Sequence, residues 1–239
     1  PASSDAGTSL GSAILAHKTK KNYNIKKFFS HTYLGNSFKD SEIKKILNTC
    51  NINYEHINKN YNKEYIVEKL NKNSIFAIFK GRHEFGPRAL GNRSIFANPK
   101  LKNMKSILNN KIKFREGFRP FAPIIIDKLA DNYFDLTSDS NDYKHMNINV
   151  GAKKITKEKF PSCVHVDSTS RVQIIKKEDN YFVYNLLKSL NEGYNIDCLI
   201  NTSFNVNKMP IVNTPQDALS CFFSSGIDLM LLGNYIIKK

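Results

Sequence analysis

Arginine is the residue type whose placement in this sequence most clearly suggests chemistry. Lys and Arg together number 36, but only six of these residues are Arg. They lie in three short segments, as Arg82, Arg88, Arg93, Arg115, Arg119 and Arg171. Lysine is sufficient for diffuse surface charge, whereas the planar guanidinium makes paired hydrogen bonds to phosphate or carboxylate oxygens. The placement therefore predicts bidentate binding of an anion, with structural ion pairs to Glu84 or Glu116 as the alternative.

The segment with the most arginines is a glycine-rich loop at residues 81–93, directly after an apolar run at residues 74–80. Such a run is typical of a buried strand, and glycines let the backbone come close to a ligand. Arg88 and Arg93 are five positions apart, so a turned loop could direct both guanidinium groups at one polyphosphate. The loop therefore predicts a phosphate site.

Two further segments carry polar groups that suit the same ligand. Lys113 and Arg119 flank a Glu-Gly turn that could hold a second group of the ligand. Asn201 and Ser203 follow an apolar strand, at the strand end where open α/β sheets bind ligands. Their amide and hydroxyl groups suit a sugar or a small acyl amide. Because the sequence shows no acid–base dyad, no nucleophile–His pair and no P-loop, the expected chemistry is positioning and charge neutralisation.

The elements that must position these segments alternate between strands and helices. Apolar runs predict strands at residues 74–80, 94–97, 124–126, 171–175, 197–200 and 227–232. The helices predicted between them include one over residues 181–190 with Gly193 as its C-cap. Another begins at a capping box formed by Thr214 and Asp217. The alternation predicts an α/β fold with a mixed sheet.

Composition restricts the class of protein. The 239 residues are 41% hydrophobic and 24% charged, as expected of a globular chain with a full core. The net charge of +15 raises nucleic acid as an alternative ligand, but the lysines are scattered and form no dense tract. No apolar run approaches the roughly 20 residues that span a bilayer, so no membrane partner is expected. The four cysteines lack metal-like spacing, which indicates reduced thiols in a cytoplasmic protein.

Four motifs give the chain a resemblance to a known family. They are GRHEFGPRALGNRSIFANP within residues 81–100, IKFREGFRPFAP at residues 112–123, CVHVDSTSRVQ at residues 163–173 and LINTSFNVNKMPIV within residues 198–212. With them, the chain from about residue 64 to residue 239 resembles the C-terminal part of the NodU/CmcH-type O-carbamoyltransferases. The departures are small, since His83 stands where Met is usual and Gly117 replaces a usual Pro. His83 is therefore expected to pack rather than to react.

The resemblance implies a YrdC-like α/β domain over residues 61–239, with a twisted mixed sheet and flanking helices. Such a domain binds ATP and carbamoyl phosphate and makes carbamoyl-adenylate. Its partner is an N-terminal domain of the actin/sugar-kinase superfamily, which passes the carbamoyl group to a hydroxyl. Residues 1–60 would then be the C-terminal remnant of that domain followed by a linker, with the boundary near residue 60. The chain, which begins without Met, is accordingly expected to be a C-terminal fragment.

The resemblance also assigns roles to single residues. The contacts to the nucleotide and the carbamoyl group fall on Arg88, Arg93, Lys113, Arg119, Arg171, Asn201 and Ser203. The residues expected to take part in catalysis are Arg88, Lys113, Arg119 and Arg171. ATP is expected to be used with a divalent metal such as Mg²⁺. Asp5 is a candidate ligand for an iron-type metal of the N-terminal domain, whose remaining ligands lie outside this chain.

The expected partners are small-molecule substrates and the N-terminal domain of the same protein, and the sequence leaves a homodimer open. The rival interpretation is a basic module that binds double-stranded RNA on the concave surface of a YrdC-like fold. We expect this to be the weaker interpretation, because the arginines are concentrated in short motifs. The carbamoyl acceptor cannot be inferred from these motifs, since its pocket would belong mainly to the N-terminal domain.

Overall fold

The computed structural model describes residues 5–21, 31–57 and 61–239. Its helices are α1 (Asp5–Lys21), α2 (Asp40–Thr49), α3 (Tyr61–Asn71), α4 (Met104–Leu108), α5 (Asp127–Tyr133), α6 (Lys154–Lys159), α7 (Tyr181–Tyr194) and α8 (Pro215–Phe223). Its strands are β1 (Glu55–His56), β2 (Phe76–Phe79), β3 (Arg93–Ala97), β4 (Ala122–Ile126), β5 (Phe134–Asp135), β6 (Val150–Ala152), β7 (Thr169–Ser170), β8 (Gln173–Ile175), β9 (Cys198–Ser203), β10 (Leu229–Leu232) and β11 (Tyr235–Lys238). A π-helical turn continues α4 over Asn109–Lys113. The boundary predicted near residue 60 falls outside the described ranges.

The described strands form one large mixed sheet and one small sheet. Eight of them are ordered β1-β11-β10-β2-β3-β9-β4-β8, and β5, β6 and β7 form the second sheet. β2 runs parallel to β10, and β4 runs parallel to β8. The other neighbours in the large sheet are antiparallel. The mixed α/β sheet predicted from the sequence is confirmed.

The central strands are covered on both faces, because successive side chains of a strand point to opposite sides. In β2, Phe76 and Ile78 share a core cluster with α3 and α7. Ala77 and Phe79 share the opposite cluster with α2, α4 and α8. All four side chains of β2 are buried. This explains why the strand appears in the sequence as an unbroken apolar run.

Two helix termini show how local sequence sets element boundaries. The predicted capping box of α8 is present, with Asp217 N donating to Thr214 Oγ1 (3.1 Å) and Thr214 N donating to Asp217 Oδ2 (2.9 Å). The prediction that Gly193 caps α7 is wrong, because the helix continues to Tyr194 and Asn195 takes the left-handed conformation with φ 54°. Asn adopts this region more readily than most residues other than Gly.

Elements that precede residue 60 also pack on the large sheet. Ile43 and Leu47 of α2 are buried in the core that contains Phe79. β1 pairs with β11 at the edge of the sheet. These residues, which the sequence assigns to the remnant and linker, contact the folded body through apolar side chains and backbone hydrogen bonds, and that assignment stays a prediction.

Helix α1 differs from the rest, since its described side chains are exposed or only partly buried. Leu15, for example, is 66% exposed. Within the part of the chain that the structure describes, no helix has both the length and the apolar character needed to cross a membrane.

Candidate functional site

The register of the large sheet brings the motif segments together. β9 pairs with β3 and with β4, so that Ser203 lies opposite Ser94 and Asn201 lies opposite Ala122. The carboxyl end of β9 therefore lies beside the first residues of both neighbouring strands. β3 follows the arginine loop (residues 81–93), and β4 follows the second basic segment, so the end of β9 meets both of them.

The segments enclose a cleft with a volume of about 120 Å³. Its lining residues are Pro87, Arg88, Ala89, Arg115, Pro120, Phe121, Ala122, Met146, Arg171, Asn201, Thr202 and Ser203. Three of these residues are Arg and none is Asp or Glu. The lining of the cleft therefore carries positive charge without a carboxylate to balance it.

Arg88 and Arg171 are the two arginines of the cleft without a partner. The Nε atom of each is buried and has no hydrogen-bond partner, and neither side chain forms an ion pair among the described residues. Burial lowers the pKa of Arg171, and the positive charge of Arg88 lowers it further. A buried guanidinium N–H without an acceptor is stabilised when an anion binds beside it, and the same anion offsets the repulsion between two neighbouring positive charges. The structure thus places two of the predicted site residues where a phosphate could bind both.

Arg115 is a third arginine of the cleft, and the sequence analysis did not assign it to the site. Its Nε donates to Asn109 Oδ1 (2.8 Å), and its Nη2 donates to Pro120 O (3.3 Å). The guanidinium also lies over the ring of Phe121, 4.9 Å from the centroid. These contacts fix Arg115 as part of the wall. The sequence feature that could have identified Arg115 as a site residue is that it is one of only six arginines.

Asn201 brings an unpaired acceptor to the cleft. Its Nδ2 donates to Gln173 Oε1 (2.7 Å) and to Ala89 O (3.2 Å), while its Oδ1 is buried without a partner. Gln173 is oriented in turn by donation from its Nε2 to Leu90 O (3.1 Å). An oriented acceptor suits an N–H group of a ligand, such as a carbamoyl amide. Gln173 was not selected from the sequence, where its only signal was its place in the motif at residues 163–173.

Lys113 lies behind the wall of the cleft and holds the end of β9. Its Nζ donates to Ser203 O (2.5 Å), Ser203 Oγ (3.3 Å), Asn205 O (3.0 Å) and Asn205 Oδ1 (2.8 Å). Burial lowers the pKa of Lys113 to about 7, and the charge of Arg115 acts in the same direction. The four oxygens around Nζ favour the ammonium form. Ser203 lines the cleft and Lys113 does not. Lys113 therefore contributes to the cleft by holding Ser203 and Asn205 in place.

Arg93 was predicted to contact the nucleotide, but the structure places it in the core and outside the cleft lining. Its guanidinium stacks on Phe79, 3.6 Å from the ring centroid. It donates to four backbone carbonyls, those of Asn36, Lys80, Gly81 and Asn92. Arg93 is the first residue of β3, and its side chain turns inward with the strand rather than outward with the loop. Its observed role is to tie backbone segments together.

Arg119 and His83 also lie outside the cleft lining. The Arg119 side chain is 53% exposed, and its Nε lies 2.9 Å from Glu116 Oε2. This is the surface ion pair that the sequence analysis named as the alternative. His83 Nδ1 lies 3.4 Å from Asn213 Oδ1. Neither side chain has a contact that points to the ligand site.

The structure gives no support for a metal site at Asp5. Asp5 is the exposed first residue of α1. Across residues 5–21, 31–57 and 61–239, no three His, Cys, Asp or Glu side chains come together as metal ligands. The resemblance places the remaining ligands of the iron-type metal outside this chain, so the role of Asp5 stays a prediction.

Comparison with known proteins bears on the same segments. The family model described as "Carbamoyltransferase C-terminus" matches residues 67–239. An uncharacterized protein of Methanocaldococcus jannaschii is 36% identical over 246 aligned residues, which cover 100% of this chain and 39% of that protein. Nodulation protein NolNO of Sinorhizobium fredii is 30% identical, with 100% of this chain and 35% of that protein covered. The chain spans less than half the length of these relatives.

A solved structure shares the fold. The crystal structure of full-length HypF in the phosphate- and nucleotide-bound form matches with a TM-score of 0.55 and 20% sequence identity. The match covers 73% of this chain and 25% of that one. The predicted YrdC-like fold, with its twisted mixed sheet and flanking helices, is confirmed.

Proposed function

Because the chain belongs to the carbamoyltransferase C-terminus family, we propose that it carries out the ATP-dependent half of an O-carbamoyl transfer. Its substrates are ATP, carbamoyl phosphate and one water, and its products are carbamoyl-adenylate, pyrophosphate and phosphate. A preceding domain of the same protein then passes the carbamoyl group to a hydroxyl. The relatives are more than twice as long as this chain, which supports such a division.

The observation that carries the proposal is a contrast among the six arginines. Arg82, Arg93, Arg115 and Arg119 all donate to, or pair with, oxygens of the protein itself. Arg88 and Arg171 have no such oxygen among the described residues, and both line the cleft. Burying a guanidinium without an acceptor is unfavourable. A bound phosphate supplies the missing acceptors, which explains why these two arginines were left unpaired.

The lining residues fit the adenylation step. Water first cleaves carbamoyl phosphate into phosphate and carbamate. A carbamate oxygen then forms a bond to the α-phosphorus of ATP, while the bond from that phosphorus to the pyrophosphate oxygen breaks. Charge that develops on the phosphate oxygens is neutralised by Arg88 and Arg171. Asn201 Oδ1 accepts from the carbamoyl N–H and so orients the carbamoyl group. No lining side chain is a carboxylate or an imidazole, which suits a step that requires no proton transfer to the protein.

The divalent cation in this proposal enters with the nucleotide. Mg²⁺ is commonly bound through substrate phosphates and only one or two carboxylates. Since the described residues contain no cluster of metal ligands, the cation is assigned to the phosphates of ATP.

The proposal is tested by titration of the chain with ATP, followed by an assay of pyrophosphate release with carbamoyl phosphate and Mg²⁺ present. Wild type is expected to bind ATP and to release pyrophosphate. Arg171→Ala removes one of the two unpaired guanidinium groups, so ATP affinity should fall by about tenfold or more. Lys20→Ala, on the exposed face of α1, is the control and should behave as wild type.

Two results would contradict the proposal. A folded wild-type chain that binds neither ATP nor phosphate would leave the fold assignment intact and remove the activity. Binding of double-stranded RNA that collapses steeply with salt, without any nucleotide binding, would favour the nucleic-acid interpretation instead.

A further inference from the structure

A short segment between α1 and α2 forms one side of the arginine loop. We refer to residues 31–36 as the strap. Tyr33 of the strap lies opposite Glu84 of the loop in an antiparallel bridge. Three backbone hydrogen bonds join the two segments at and beside this bridge: Phe85 N to Thr32 O (2.6 Å), Gly35 N to His83 O (2.9 Å) and His83 N to Asn36 O (2.9 Å). The first half of the loop is therefore paired with the strap as a strand would be.

Two arginines of the loop reinforce this pairing. Arg82 Nε donates to Gly35 O (3.0 Å), and Arg82 Nη2 donates to Leu34 O (2.7 Å). Arg93, at the other end of the loop, donates from Nη2 to Asn36 O (3.3 Å). The fork of donors on a guanidinium suits such pairs of carbonyls better than an ammonium does. This explains why Arg is used at these two positions although they do not line the cleft.

The strap also reaches the second half of the loop through Tyr33. Its Oη donates to Leu90 O (3.0 Å), and burial raises the pKa of this hydroxyl, which therefore stays a donor. Leu90 O is the same atom that orients Gln173, whose Oε1 holds Asn201. The Tyr33 hydroxyl of the strap is thus linked through three hydrogen bonds to Asn201, an amide that lines the cleft.

Glu84 closes the loop on itself. Its Oε1 accepts from the backbone N–H groups of Leu90 (2.7 Å) and Asn92 (2.8 Å). Since Glu84 also faces Tyr33, residues 85–90 are held at both ends by the strap and its neighbours. This stretch carries Arg88, whose Nε has no partner in the described part of the chain. The position of Arg88 is therefore set by the backbone that carries it, and that backbone is fixed by the strap.

We propose that Tyr33 and Arg82, which join the strap to the loop, are positioning residues for the anion site and act through Arg88. The inference rests on the proposed function in one respect, since it takes phosphate as the ligand of Arg88. The strap lies outside residues 67–239, which the family model matches. A complete phosphate site accordingly requires residues 31–36 as well as the family domain.

The test uses the full chain with inorganic phosphate and ATP as probes in calorimetric titrations. Tyr33→Phe and Arg82→Lys each remove hydrogen bonds between strap and loop, so each should raise the dissociation constant by about fivefold. Tyr54→Phe is the matched control, because Tyr54 Oη donates to Asn48 Oδ1 (3.0 Å) at the end of α2 and does not line the cleft. It should leave the dissociation constant unchanged.

A double-mutant cycle separates positioning from general loss of structure. If Tyr33 and Arg82 act through Arg88, their substitution in an Arg88→Lys background should cause little further loss of affinity. A purely structural role would give losses that add to that of Arg88→Lys. Additive losses, or phosphate affinity equal to wild type in both single variants, would overturn the inference.

Amide hydrogen exchange without ligand distinguishes failure of this inference from failure of the proposed function. Residues 82–90 should exchange faster in Tyr33→Phe and Arg82→Lys than in wild type and Tyr54→Phe. Unchanged exchange would overturn the role of the strap, whatever the chain binds. If wild type binds neither probe, the proposed function fails, and faster exchange in the two variants would still show that the strap holds the loop.

Discussion

Arg88 and Arg119 both belong to arginine-bearing motifs, yet their surroundings differ. Arg88 lines the cleft with a buried Nε that has no partner, whereas Arg119 is half-exposed and paired with Glu116. A guanidinium that lacks acceptors is available to a ligand, while an exposed ion pair contributes little and competes with the ligand. At the scale of single residues, an arginine is available to a ligand when its N–H groups lack acceptors within the protein.

This contrast predicts unequal effects of two identical substitutions. Arg88→Lys keeps the charge and loses the paired hydrogen bonds, so ATP binding should weaken by about 1–3 kcal/mol. Arg119→Lys should weaken it by less than about 0.5 kcal/mol, because its partner in the structure is an exposed carboxylate. Titration calorimetry of both variants measures the difference. Equal losses would show that Arg119 moves into the site when the nucleotide binds.

Lys113 gives a pH-dependent prediction. Its pKa in the folded protein is about 7, against about 10.4 in an unfolded chain. Between these values the unfolded chain binds a proton that the folded protein does not bind, so the free energy of unfolding should rise with pH. The slope should be up to about 1.4 kcal/mol per pH unit. Urea unfolding at about pH 7.5 and about pH 9 should show this slope in wild type and not in Lys113→Met. Identical slopes would mean that the four surrounding oxygens keep Lys113 charged throughout this range.

At the scale of elements, β9 assembles the site. It lies between β3 and β4 and is antiparallel to both, so its carboxyl end meets the segments that precede them. Its first four residues are buried, and its last two are partly exposed in the cleft. The strand thus begins in the core and ends at the cleft.

The end of β9 is tested by Ser203→Ala. Ser203 Oγ donates to Asn205 Oδ1 (2.7 Å) beside the cleft, so its loss should lower stability by no more than about 1 kcal/mol. Turnover should fall more than ATP affinity if the hydroxyl contacts the carbamoyl group, which Asn201 is proposed to orient. Thermal unfolding and pyrophosphate release measure the two effects, with Ser220→Ala on the exposed side of α8 as the control. A stability loss of about 2–5 kcal/mol, as for a core truncation, would instead mark Ser203 as structural.

At the scale of the whole molecule, the reaction is proposed to be divided between this chain and a preceding domain. The segments that would activate the carbamoyl group meet in one cleft of about 120 Å³. The described residues contain no group of three or more His, Cys, Asp or Glu side chains that could hold a metal ion. We propose that the large sheet supplies the adenylate-forming half and that the acceptor site belongs to the other domain.

This division predicts that the chain forms carbamoyl-adenylate but carbamoylates no alcohol. An acyl-adenylate in a site that the partner domain does not close is exposed to water. It should therefore decay to AMP rather than accumulate. Chromatography of nucleotides after incubation with ATP, carbamoyl phosphate and Mg²⁺ measures AMP, with Arg88→Ala in parallel. Transfer of the carbamoyl group to an added alcohol would contradict the division.

Local patterns were sufficient for the mixed α/β fold and for the segments that meet at the cleft. Buried strands such as β2 and β10 appear as continuous apolar runs, because helices cover both faces of the sheet. The capping box at Thr214 and Asp217 depends only on residues three positions apart, and it forms as predicted. The motifs identified the segments that line the cleft, since each follows or precedes a strand of the same sheet.

The sequence by itself determined that a few arginines in three segments are special, but not what each one binds. That depends on oxygens that come from remote parts of the chain. Arg82 donates to two carbonyls of the strap, and Arg93 donates to a third strap carbonyl as well as to three carbonyls near the loop; the strap lies more than 40 residues away from both. Arg88 and Arg171 remain unpaired because, among the described residues, no such oxygen reaches them. Only the tertiary structure decides this, since a guanidinium binds whichever acceptor the fold brings within hydrogen-bond distance, and sequence spacing does not record that distance.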